Sequence, residues 1–134
     1  MTKKVFVNGT FDILHRGHLE LLEYAKSQGD VVVVGIDSDD RVREKKGPTR
    51  PINNAEDRAY MLQSLKTVDH VVLFGSDEEL EKCIRVTSPD IMVVGSDWEN
   101  KTVIGSMYAA EVHFFPRLED YATSKTIQCI IDRG

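Results

Sequence analysis

The chain is expected to fold as an open, doubly wound α/β sheet of about five parallel strands with helices on both faces. Two observations carry this expectation. Short runs rich in β-branched residues recur at 5–7, 31–36, 71–74, 91–94 and 112–115, and they lack the polar alternation of a half-exposed strand. Between them lie segments whose apolar residues recur at helical spacing, so strand and helix alternate along most of the chain.

Taken in order, the first helix-period segment, 17–27, sets Leu19, Leu22 and Ala25 on one face before Gly29 ends it. The next helix opens at Asn53 or Asn54, with Glu56 and Asp57 in its first turn and Ala59, Leu62 and Leu65 facing inward. Asp77, Glu78 and Glu79 begin a third, which carries Leu80, Cys83 and Ile84 and closes before Pro89. A last helix is expected over 124–132. Residues 37–51, DSDDRVREKKGPTRP, are too polar to be packed and too long for a routine connection, so a functional or mobile loop is expected there. The stretch 96–107 reads the same way. No internal repeat, low-complexity tract or linker interrupts the pattern.

A length of 134 residues is that of one domain, 1–134, large enough to stand without disulfides or a structural metal. Cys83 and Cys129 lie in apolar helical patterns without CxxC spacing and are expected to be buried free thiols in a reducing compartment. Zinc is not indicated. The 17 basic and 22 acidic residues leave a net charge of -5, the wrong sign for a protein whose main partner is nucleic acid, so any anion site must be local. No apolar run approaches the roughly 18–20 residues of a membrane span, and no secretory leader is evident. A soluble, cytoplasmic protein without membrane contact is therefore expected.

The first strand runs straight into Asn8-Gly9-Thr10-Phe11-Asp12-Ile13-Leu14-His15-Arg16-Gly17-His18. Gly9 and Gly17 allow backbone to approach a ligand, and the free N–H groups of a helix start attract phosphate. His15 and His18 add imidazole donors to that site, where they can stabilise charge developing on a transferring phosphoryl group. In a sheet of this kind ligands bind at the carboxyl ends of the strands, beside the point where strand order reverses.

These residues resemble the GxFDxxHxGH signature of the cytidylyltransferase-like nucleotidyltransferases, whose sheet is Rossmann-like. The resemblance extends through Lys46-Gly47-Pro48-Thr49-Arg50-Pro51-Ile52-Asn53, Glu56-Asp57-Arg58, Gly95-Ser96-Asp97-Trp98, Ile104-Gly105-Ser106 and Tyr121-Ala122-Thr123-Ser124-Lys125. Two branches fit. The KGxxRPIN stretch, the EDR and the Ile-Gly-Ser look like the heptose-1-phosphate adenylyltransferase domain, whereas the short length, GSDW and Arg117 look like glycerol-3-phosphate cytidylyltransferase.

The resemblance implies transfer of a nucleoside monophosphate from CTP or ATP to a small sugar or polyol phosphate, with pyrophosphate leaving and Mg²⁺ accompanying the nucleotide. By family position His15, His18, Lys46 and Arg117 are catalytic, and Gly9, Thr10, Phe11 and Gly17 surround the phosphates. Asp12 either orders its loop or helps place the metal, and no metal site is assigned to the protein itself. Arg58, Gly95, Asp97, Thr123 and Ser124 are expected at the nucleotide. Asp39, Lys45, Arg50, Lys66 and Trp98 are expected at the acceptor, with Asp37 and Asp40 as weaker candidates. A homodimer is implied as well.

The chain departs from the family pattern near its end. Relatives commonly carry Ser-Thr-Thr before the last helix, where this chain has Ala122-Thr123-Ser124, and Asp120 replaces a common glycine. Altered affinity or acceptor choice is the expected consequence, and a domain that binds nucleotide without turnover is the alternative. A receiver-like signalling domain is excluded, because the acidic pair, the phospho-accepting aspartate and the lysine it needs are replaced by Gly9-Thr10, Phe74-Gly75 and Pro116-Arg117. A flavodoxin-like carrier lacks its Ser/Thr-rich phosphate loop.

Overall fold

In the computed structural model, which describes residues 2–116 and 122–134, the apolar runs become one parallel sheet. Its strands are β1 (Lys4–Gly9), β2 (Val31–Asp37), β3 (His70–Phe74), β4 (Ile91–Gly95) and β5 (Glu111–Phe115), in the order β3-β2-β1-β4-β5. Val5 of β1 stands in register with Val32 and Ile91, and Val7 with Val34 and Val93. Winding reverses between β1 and β4, so the carboxyl ends of these two strands frame the crevice.

Helices cover both faces. Val5, Val7, Val32, Val34 and Val93 pack against Leu22 and Ala25 of α1 (Arg16–Gln28) and Leu62 of α3 (Ala55–Gln63). On the other face Phe6, Val33 and Met92 meet Leu80 and Ile84 of α4 (Asp77–Thr87). Successive residues of β1 thus serve opposite cores, which is why the strand shows no polar alternation. Each such side chain removed from water contributes about 1.5–3 kcal/mol. The expected helix starts hold: Asn54 Oδ1 accepts from Asp57 N at 2.9 Å, and Ser76 Oγ accepts from Glu79 N at 3.1 Å.

Three expectations are corrected. The stretch 37–51 is not simply a loop, because α2 (Asp39–Lys46) forms within it. Ser38 Oγ caps α2 by accepting from Arg41 N at 3.2 Å, acidic residues stand in its first turn, and basic residues stand in its last. Only Arg41 and Val42 are buried, so α2 has no apolar period to read. Residues 96–107 also pack: Val103, Ile104 and Tyr108 join the second core around two short 3₁₀ turns, Ser96–Trp98 and Ser106–Tyr108. Gly105 makes that packing possible, with φ at +79° and an added Cβ only 2.6 Å from Ile84 Cδ1. Finally, Cys129 is exposed, while Cys83 is half-buried with its thiol pKa raised by burial.

α5 (Thr123–Arg133) closes the chain and leaves Ile130 and Ile131 exposed. Among the described residues no helix is long and apolar enough to cross a membrane.

Candidate active site

The end of β1 leads into a loop whose shape is held from behind. Phe11 is buried and adopts φ +50°, a left-handed conformation that a bulky residue adopts only when its surroundings enforce it. Two restraints flank it. Thr10 O accepts from Arg58 Nη1 at 2.9 Å, and the Asp12 carboxylate accepts from Ile52 N and Asn53 N at 2.7 and 2.8 Å. Gly9 permits the turn, since a Cβ there would lie 2.9 Å from the Phe11 ring.

α1 then begins at the histidine motif. The His15 and His18 rings stack with centroids 3.8 Å apart and planes 21° apart, and the Phe11 ring lies 5.2 Å from that of His18. His15 N donates to His18 Nδ1 at 3.2 Å, so Nδ1 carries no proton and Nε2 is the N–H donor. Burial, then the neighbouring His15 and Lys46, lowers the His18 pKa from 6.5 to about 4. His18 is therefore a neutral hydrogen-bond donor at physiological pH.

A cavity of about 300 Å³ opens at these residues. One wall is Asn8, Gly9, Thr10 and Phe11, and its floor is Gly17, His18 and His15 at the start of α1. Across the strand-order reversal stand Gly95, Phe115 and Pro116, with Ala122, Thr123 and Ser124 at the start of α5 and Lys46 at the end of α2. The first turns of two helices thus meet at one cavity, and their N–H groups favour anions. Ala122 is the N-cap of α5 and supplies no side-chain cap. Thr123 Oγ1 instead donates to Ile13 O at 3.1 Å, and Ser124 Oγ accepts from Arg50 Nη1 at 3.3 Å. Both hydroxyls thus tie the start of α5 to the neighbouring loops.

Residues 6–129 match the cytidylyltransferase-like family. The chain belongs to that family. It is 50% identical, over 96% of its length, to the bifunctional protein HldE of Sulfurimonas denitrificans and 48% identical to that of Helicobacter pylori strain HPAG1, and it spans 27% of each of those proteins. The solved lipopolysaccharide core biosynthesis protein of Thermoplasma volcanium is similar, with a TM-score of 0.68 and 28% identity over 91% of this chain and 100% of that one. The pantoate-beta-alanine ligase of Francisella tularensis shares the fold, at a TM-score of 0.58 and 20% identity over 86% of this chain and 59% of that one.

Several residues that the resemblance places at the ligands lie off the cavity lining. Arg58 does not face the cavity: it is 1% exposed and donates to Asn53 O, Thr10 O and Asp39 Oδ1 at 3.0, 2.9 and 2.8 Å. Asp39 Oδ1 thereby accepts from Arg58, while its side chain stays partly exposed. Lys45 is exposed and off the cavity lining; the Arg41 hydrogen bond, with a smaller contribution from the Lys45 charge, holds the Asp77 pKa below the usual carboxylate range. Lys66 is exposed beyond α3, near the turn into β3 at the opposite end of the sheet. Trp98 is 43% exposed, outside the cavity wall, with Lys101 Nζ 5.5 Å from its ring centre. Asp40 pairs with Arg43 on the surface at 2.7 Å.

Both Asp12 oxygens accept from backbone amides, which suits the loop-ordering role. Among the described residues no group of three His, Cys, Asp or Glu side chains can hold a metal ion. Arg50 stands just behind the cavity wall: Nε is 3.7 Å from Asp12 Oδ2, and Nε and Nη2 are buried without a hydrogen-bond partner. Arg117, Asp120 and the side chain of Asp97 lie outside the described residues. The sequence reading missed Asn8, Leu21, Phe115, Pro116 and Ala122 as lining residues. Placing β5 beside β4 would have found Phe115 and Pro116.

Proposed function

We propose that this domain transfers a nucleoside monophosphate from ATP or CTP to the phosphate of a small sugar or polyol phosphate. One observation carries the reading: two helix N-termini, His15, His18 and Lys46 converge on one cavity at the strand-order reversal of a cytidylyltransferase-like fold. Every group in that set is a donor or a cation, as a triphosphate demands.

An acceptor phosphate oxygen attacks the α-phosphorus in line, a new P–O bond forms, and the bond to the β-phosphate oxygen breaks. Pyrophosphate departs with that oxygen and its electron pair. No covalent enzyme intermediate is needed, so catalysis is positioning and charge stabilisation. Neutral His18 donates from Nε2 to a non-bridging oxygen, while Lys46 and the α5 amides meet the β- and γ-phosphates. Arg50 supports Ser124 from behind. Arg117 remains the candidate for leaving-group stabilisation, and Gly95 with Asp97 the candidate for nucleotide contact. Mg²⁺ enters as the counter-ion of the triphosphate, held by its oxygens.

The likeness of the KGxxRPIN stretch to heptose-1-phosphate adenylyltransferase domains, together with the HldE relatives, favours ATP and heptose 1-phosphate over CTP and glycerol 3-phosphate. The cytoplasmic location and the homodimer belong to the same reading.

The test is pyrophosphate release in Mg²⁺ with each nucleotide, with and without each acceptor. Release that requires both ATP and heptose 1-phosphate is the expected result. Nucleotide binding without release, across all pairs, would favour the non-catalytic sensor.

A further inference from the structure

α2 is eight residues long and buries two side chains, Arg41 and Val42. A helix that short is not stable by itself in water, and one valine gives it a single apolar point about which to turn. Charged tethers on two flanks set its orientation. Asp39 Oδ1 accepts from Arg58 Nη2 at 2.8 Å. Arg41 Nε donates to Asp37 Oδ1 at 2.8 Å, its Nη2 donates to Asp77 Oδ1 at 2.5 Å, and its guanidinium carbon stands 5.4 Å from the Phe74 ring centre. Successive helical residues are about 100° apart, so Asp39 and Arg41 lie roughly 160° apart around the axis and the two tethers grip opposite flanks.

The Arg41 tether reaches further into the fold. Asp37 ends β2, Phe74 ends β3 and Asp77 opens α4, so one guanidinium ties α2 to three elements. A planar fork can donate to two carboxylates in fixed directions, which a single ammonium cannot do. Arg41 is 7% exposed, so water screens this tether less than it screens a surface pair.

The rotation of α2 matters because the helix ends on two adjacent lysines. Lys45 stands one turn beyond Arg41 and is exposed, off the cavity lining. Lys46 stands one turn beyond Val42 and lines the cavity, where its charge acts on His18. A turn of the helix by one residue position, about 100°, would bring Lys45 to the side that Lys46 holds.

We propose that Arg41 is a positioning residue: by bridging Asp37 and Asp77 it sets the rotation of α2 and brings Lys46, rather than Lys45, to the phosphates of the nucleotide. Arg41 is not itself at the cavity lining and acts through the lysine. The inference rests on the nucleotidyl-transfer reading for the identity of the ligand.

Calorimetric titration tests it, with Mg²⁺-ATP and inorganic tripolyphosphate as the probes and wild-type protein, Arg41→Met, Lys46→Ala and the double variant as the samples. Methionine keeps an apolar stem and removes the donors. Arg41→Met alone is expected to weaken both probes about fivefold, and to weaken them less than about twofold when Lys46 is already alanine, because coupled residues do not add. General loosening of the fold would instead weaken binding by the same factor in both backgrounds. Asp77→Ala, with and without Lys46→Ala, supplies a second arm. The Asp77 side chain is 67% exposed and Ser76 still caps α4, so this variant carries the test if Arg41→Met does not fold. A loss of about threefold is expected from it, again absent once Lys46 is alanine. Equal losses in both backgrounds, or no loss in either, overturn the inference and leave the nucleotidyl-transfer reading standing. Wild-type protein that binds neither probe removes both.

Discussion

His15 and His18 are coupled through backbone as well as through their stacked rings: the His15 amide donates to His18 Nδ1 at 3.2 Å, which fixes the His18 tautomer. Protonation of Nδ1 would break that bond and place a cation beside His15 and Lys46. NMR titration of the His18 ring is therefore expected to show a midpoint near 4 rather than the ordinary 6.5. The sign for stability follows from the depressed value. On acidification the unfolded chain takes the proton first, so this contribution is complete above about pH 6.5 and is lost as pH falls toward about 4. A midpoint at or above 6.5 would contradict the neutral-donor assignment.

Removal of that donor by His18→Ala is expected to lower kcat by about two or more orders of magnitude, the scale of losing one group that stabilises developing charge. Steady-state kinetics on protein shown to be folded checks this. Near wild-type turnover would contradict the role.

Adjacent lysines separate the cavity from the surface. Lys46 lines the cavity and Lys45 does not, so Lys46→Ala is expected to raise the nucleotide KM about tenfold or more, as for a lost charge-assisted hydrogen bond. Lys45→Ala is expected to change it less than about twofold, because Lys45 is an exposed charge outside the cavity lining. Equal effects from the two substitutions would show that α2 presents a different face.

Much of this fold was legible because β1, β2 and β4 are buried on both faces, and such burial leaves apolar runs that no polar alternation hides. α2 was not legible, because its cap and its end charges hold it while only Val42 and Arg41 turn inward. The histidine motif was found because both rings must stand at one helix start. The inward turn of Arg58 was not legible for the opposite reason: motif spacing records which residues recur, not that a guanidinium turns inward to the carbonyls of Thr10 and Asn53. The lining residues Phe115 and Pro116 depend on strand order, which no local pattern contains.

Asp12 is structural, with Ile52 N and Asn53 N on its two oxygens. Asp12→Asn turns an amide N–H toward one of those donors and leaves it unsatisfied. Stability is expected to fall by about 1–3 kcal/mol in denaturant titration. An unchanged midpoint would mean that the loop is held elsewhere.

Gly105→Ala tests the packing of the 96–107 stretch. An added Cβ meets Ile84 Cδ1 at 2.6 Å in a backbone conformation with φ +79°. A loss of about 1–3 kcal/mol is expected from overpacking, read as a lower Tm. α1, which carries His18, packs against the other core, so the His18 titration should be unaltered.

The most direct measurement of the central claim uses heptose 1-phosphate carrying ¹⁸O in its phosphate, incubated with ATP, Mg²⁺ and the protein, and mass analysis of both products. Direct attack of the acceptor phosphate on the α-phosphorus predicts an ADP-linked sugar that retains all the label, with unlabelled pyrophosphate released in equal amount. Label in the pyrophosphate, or no nucleotide-linked product from any pairing of ATP or CTP with heptose 1-phosphate or glycerol 3-phosphate, would contradict the account.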